Sequence, residues 1–77
     1  MVRPPTEARA IVAALSRNVR ARRRAAGLTQ GALAKRARCA LAFISLIERG
    51  KANPSLVTMV LIAGALECAV PDLLSEA

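Results

Sequence analysis

Helix breakers stand far apart in this chain, at Pro4-Pro5, Gly27, Gly50, Asn53-Pro54 and Pro71. No stretch between them alternates apolar and polar residues as a strand would. Ala, Leu and Arg dominate the intervals, and all three favour helix. The breakers therefore cut the sequence into five helical segments, and the expected fold class is all-α.

The first segment spans about residues 5–26. Pro5 suits a first helical turn, and Gly27 suits the left-handed stop. Ile11, Val12, Leu15 and Val19 recur at helical spacing and are expected to face a core, while Arg17, Arg20 and Arg24 lie off that face. The second segment, residues 30–37, begins after Thr29 as N-cap, with Leu33 and Ala34 turned inward. The third, about residues 41–49, turns Ile44 and Ile47 inward and stops at Gly50. The fourth starts after Ser55 as N-cap and ends near Leu66; the fifth, about residues 70–75, carries Pro71 in its first turn.

A chain of 77 residues makes one domain at most, here residues 1–77, with a core of marginal size. Metal is not expected to reinforce it: there is no His, and Cys39 and Cys68 match no zinc spacing. The apolar run between Ile11 and Leu15 is too short for a secretory signal. The expected compartment is therefore the reducing cytoplasm, with both thiols packed as small hydrophobes. The longest uncharged stretch, residues 52–66, contains Pro54 and is too short to span a bilayer, so no membrane partner is expected.

A net charge of +7 and a pI near 11.4 point to a polyanionic partner; a merely solvated basic surface is the plainer alternative. Catalysis is not expected. The chain offers no base for a cysteine nucleophile and no glycine-rich phosphate loop, and Asp72 and Glu76 read as a solvated helix end. No cofactor and no small-molecule substrate is implied.

The middle of the pattern, two helices of similar length joined by a tight turn at residues 29–49, is the layout of a helix-turn-helix. In that unit the second helix enters the DNA major groove. The residues that fill it are Gly27-Leu28-Thr29-Gln30, then Leu33-Ala34. Phe43 to Lys51 and Asn53-Pro54-Ser55-Leu56 follow. In this order and spacing they resemble the Xre/Cro/lambda-repressor-like family over roughly residues 15–74. The short stand-alone form is similar to phage repressor domains and to restriction–modification controller proteins.

The resemblance implies a compact five-helix lambda-repressor-like domain that regulates transcription by binding double-stranded DNA as a homodimer. A flexible arm at residues 1–6 is expected to precede it. Thr29 and Gln30 would meet a phosphate at the start of the second helix, where free N–H groups and the helix dipole favour an anion. They could instead only cap that helix. Lys51 and Asn53, in the loop after the third helix, would meet another phosphate, unless Asn53 serves only the turn. Leu41, Ala42, Ser45, Leu46 and Arg49 occupy the positions that face base edges. Only Ser45 and Arg49 of these can hydrogen-bond, so contacts to thymine methyls and DNA shape would carry much of the specificity. Arg23 and Glu48 match the positions of an internal ion pair; otherwise Glu48 would simply balance Arg49.

Three residues depart from the family pattern. Arg38 and Glu67 replace glycines after the second and fourth helices, and Ala40 replaces the Ser or Thr cap of the third. The fourth segment carries two apolar stripes. Leu56, Met59, Ile62, Ala63 and Leu66 form the expected core stripe. Val57, Val60, Leu61 and Gly64, joined by Val70 and Leu74, form a second stripe that needs a partner and is expected to be the dimer interface. The competing function is a degenerate helix-turn-helix that binds another protein, as an antitoxin or anti-regulator would.

Overall fold

The computed structural model describes residues 6–76. The expected arm at residues 1–6 and the place of Pro5 lie outside the described residues, apart from Thr6, which opens the first helix. The helices are α1 (Thr6–Ala25), α2 (Gln30–Ala37), α3 (Leu41–Glu48), α4 (Leu56–Ala65) and α5 (Val70–Leu74). α1 packs on α3 and α5, α2 packs on α3 and α4, and α4 meets α5. Their shared core is built from Leu15, Val19, Leu33, Ile44, Ile62 and Leu73.

The first four helices end in the same way. A residue at positive φ follows each one, and the next N–H reaches back to a carbonyl of the last turn. Gly27 and Gly50 take this conformation at φ of 73° and 70°, Arg38 and Glu67 at 57° and 56°. The closing bonds run from Leu28, Cys39, Lys51 and Cys68, so the geometry survives where the glycine does not. A left-handed non-glycine residue costs on the order of 1 kcal/mol. Arg38→Gly and Glu67→Gly are therefore each expected to stabilise the fold by about that amount, which raises Tm by roughly 4–8 °C in a domain of this size. Thermal melts check this, and unchanged midpoints would mean that contacts of the side chains already offset the strain.

Helix starts are less uniform. Thr29 Oγ1 accepts from the Ala32 N–H at 3.0 Å, and Ser55 Oγ accepts from the Thr58 N–H at 3.2 Å. Ala40 offers α3 no side-chain cap. At α5 the Asp72 carboxylate takes the Ala69 N–H at 2.9 Å, since Ala69 itself has no acceptor. Asn18 fastens the far end of α5 by donating to the carbonyls of Leu73 at 2.9 Å and Ser75 at 2.8 Å.

Two core expectations are corrected. Ile11 is exposed: the buried part of α1 begins at Ala14, and Ile11 lines an open hollow with Ala8, Val12 and the loop at residues 50–53. Leu56 is 64% exposed. The chain enters α4 with Pro54 buried instead, and Leu56 falls one and two turns before Val60 and Gly64 on the outer face. Both cysteines are free, half-buried and packed against the core, and burial pushes both thiols above their usual pKa.

Candidate nucleic-acid interface

α3 is an eight-residue helix. A helix this short is marginal by itself, so its orientation rests on tertiary contacts. Ile44 and Ile47 anchor one side of it in the core. The other side carries Leu41, 53% exposed, with Ala42 exposed and Ser45 and Leu46 half-buried. Arg49 caps the helix and is exposed; its Nε lies 3.4 Å from the Ser45 carbonyl.

Glu48 braces the C-terminal end of α3 and is only 3% exposed. Its Oε2 accepts from Arg23 Nε at 2.6 Å, and its Oε1 accepts from Arg23 Nη2 at 2.9 Å and Gln30 Nε2 at 3.1 Å. Its backbone carbonyl accepts from Ser16 Oγ and from Arg20 Nη2, each at 2.6 Å. Arg23 also donates through Nη1 to the Leu28 carbonyl at 2.9 Å. One residue thus ties α3 to α1 and to the first turn of α2, and its partner is Arg23 rather than Arg49. The bidentate fork suits guanidinium and carboxylate geometry.

Burial alone would raise the Glu48 pKa. The hydrogen bonds from Arg23 and Gln30, with the charges of Arg23 and Arg20, outweigh it and hold the carboxyl below its ordinary value. The hydrogen bond to Glu48 likewise raises Arg23, against the effect of burial. Because the folded-state pKa of Glu48 is the lower one, its contribution is full above the ordinary value of 4.5 and is lost as pH falls through the folded value. Glu48→Gln is expected to flatten the acid limb of the stability–pH curve. Urea midpoints from neutral pH down to about pH 3 test this; an acid limb as steep as wild type would assign the loss to other carboxylates.

Around this brace the structure places the other residues singled out in the sequence. Gln30 is turned inward onto Glu48, and the Thr29 hydroxyl is engaged in capping α2. Lys51 and Asn53 are exposed on the loop between α3 and α4. Val57, Val60 and Leu61, 70%, 54% and 41% exposed, share the outer face of α4 with Leu56 and Gly64, far from any role in the core. Val70 and Leu74 are half-buried and pack partly on the chain's own core. Ser16 and Arg20 are additions: they hold a backbone carbonyl, and their only trace in the sequence is four-residue spacing on one face of α1.

An exposed two-turn helix, braced at one end against a crossing pair of helices in a chain of charge +7, defines a helix-turn-helix DNA-binding domain. The comparison with known families agrees. The helix-turn-helix family model matches residues 19–73, and the chain belongs to this Xre/lambda-repressor-like family. It is a DNA-binding transcription regulator rather than an enzyme.

Among solved structures it is similar to the restriction-modification controller protein C.AhdI from Aeromonas hydrophila. The TM-score is 0.78 at 31% identity, over 80% of this chain and 94% of that one. It is also similar to the hypothetical transcription factor NHTF from Neisseria, with a TM-score of 0.83 at 29% identity, over 97% of this chain and 85% of that one. For the clp gene regulator ClgR from Corynebacterium glutamicum the TM-score is 0.80 at 30% identity, over 86% of this chain and 70% of that one. A search of curated proteins finds no significant relative. Among the described residues no helix is long and apolar enough to cross a membrane, and no group of three or more His, Cys, Asp or Glu could hold a metal ion.

Proposed function

We propose that the protein acts in the cytoplasm as a sequence-specific regulator, of the repressor or controller type, and that residues 1–77 form one domain that binds an operator as a homodimer. The observation that carries this reading is the exposed side of α3, braced through Glu48 so that Leu41, Ala42, Ser45 and Leu46 are offered together. Similarity to a restriction-modification controller protein supports the regulator type. Exposed Lys51 and Asn53, in the loop after α3, and the start of α2 at Thr29 and Gln30 position the DNA backbone, while α3 reads the major groove.

Leu41, Ala42 and Leu46 bring methyl surface and no donors, which favours thymine over cytosine. Selection from a random DNA library is expected to return a palindrome whose contacted positions prefer T·A pairs. Each mismatch should cost nearer 1 than 3 kcal/mol, at about the weak end of specific readout. Replacing the contacted thymines by uracils removes only methyl groups. Affinity should then fall for wild type and change less for Leu41→Ala. Wild-type affinity unmoved by uracil would exclude methyl readout.

The exposed apolar face of α4 favours a second reading, a helix-turn-helix that docks on another protein. Retention on a DNA column at moderate salt, together with an enriched motif, supports the regulator. Passage through the column with no enrichment supports the docking module.

A further inference from the structure

α1, the first turn of α2 and the end of α3 enclose an open hollow of about 420 Å³. Its lining includes Arg20, Arg24, Gln30, Glu48 and Arg49. The one carboxylate there is spent: Glu48 accepts two hydrogen bonds from Arg23 and one from Gln30, so it presents no bare negative charge. Arg24 and Arg49 are exposed and have no carboxylate within ion-pair distance among the described residues. Arg20 donates to a carbonyl and a hydroxyl, and its charge also acts on Glu48. Four arginines and a single carboxylate therefore line one concavity, which leaves it strongly positive.

We propose that Arg20, Arg24 and Arg49 form a clamp for a single phosphodiester of the DNA backbone beside the groove that α3 enters. This rests on the DNA-binding reading above. Arg20 and Arg24 lie one turn apart on α1 and approach the hollow from one wall, while Arg49 approaches from the end of α3. Guanidinium forks suit phosphate oxygens, and a bound phosphate relieves the mutual repulsion of the three cations. The hollow is open, as a continuous backbone requires, and the start of α2 on its rim adds N–H groups that favour an anion. The clamp also fixes the role of Arg49: it holds the backbone and leaves Ser45 as the hydrogen-bonding residue on the base-facing side.

The test is the salt dependence of DNA affinity for wild type, Arg24→Gln, Arg49→Gln, the double variant, and Arg22→Gln as an exposed control outside the hollow. Each subunit of the homodimer brings one clamp, so loss of the shared contact is expected to lower the log–log slope on a palindromic site by about 1.8 in the double variant, with Arg22→Gln unchanged. A fall of about 3.6 would mean two separate phosphates per subunit and overturn the clamp, as would a double variant that matches wild type. Titration with inorganic phosphate at fixed ionic strength, followed by NMR of the arginine Nε–H groups, separates a free-anion site from a DNA contact. Saturation of Arg24 and Arg49 by phosphate with unchanged DNA slopes would overturn the clamp. If wild type binds no DNA at any salt, the functional reading fails and the clamp fails with it; normal binding with an unaltered slope sinks the clamp alone.

Discussion

Arg23→Ala is expected to lower folding stability by about 3–5 kcal/mol, the typical consequence of leaving a buried charge without its partner. Glu48 is 3% exposed, and Arg23 supplies two of the three bonds to its carboxylate. The same substitution strips the Leu28 carbonyl of a donor just where α1 turns into α2. Arg24→Ala, one residue further on and exposed, is expected to change stability by less than about 0.5 kcal/mol. The contrast is large against a total stability on the order of 5–15 kcal/mol. Arg23→Ala should therefore unfold at far lower urea. Exchanging the two residues, with Arg23→Glu and Glu48→Arg together, is not expected to restore wild-type stability. The bidentate fork and the Gln30 and Leu28 bonds depend on which side each group starts from. Equal unfolding midpoints for Arg23→Ala and Arg24→Ala would remove the brace from the account of how α3 is held.

Features that act within a few residues were legible in the sequence. Gly27 and Gly50 stop helices, and Thr29 and Ser55 start them, because capping needs only the local backbone. Helical ends deduced from such signals fall within about one residue of those observed. The left-handed turns at Arg38 and Glu67 could be anticipated only from the family pattern, since neither residue advertises that conformation. Periodicity identified apolar faces but not where the core runs out. Ile11 continues the stripe of Leu15 and Val19 but lines an open hollow with the loop after α3, and Leu56 satisfies two stripes at once. The brace was half legible. Arg23 and Glu48 are an acid and a base that the family resemblance pairs, whereas Ser16 and Arg20 bind a carbonyl that any residue at position 48 would carry. The inward turn of Gln30 and the place of Arg49 beside the α1 arginines depend on how three helices converge, which no local pattern encodes.

Leu61→Glu is expected to convert the protein to a monomer and to weaken binding to a palindromic site by on the order of 100-fold or more, because two linked half-site contacts become one. Leu56, Val57, Val60 and Leu61 expose a continuous apolar face on one short helix, and the small Gly64 lets another backbone approach its lower end. Water against such a face is unfavourable, and a second copy can cover it with the same residues. A two-fold interface would pair one patch with itself, and half-buried Val70 and Leu74 would complete its margin. Position 61 lies within that patch, so a carboxylate there would lose its water on dimerisation and face its own copy. The fold should tolerate the change, since Leu61 already lies at the surface; an unchanged circular dichroism spectrum checks this. In a dimer the two α3 helices would sit about 34 Å apart, one turn of DNA. Leu61→Glu should therefore bind an isolated half-site as wild type does while losing the advantage on the palindrome. Sedimentation velocity with wild type and variant decides the matter. A wild-type protein that runs as a monomer at micromolar concentration, or a variant that remains dimeric, would place the interface elsewhere and leave the apolar face of α4 to a different partner.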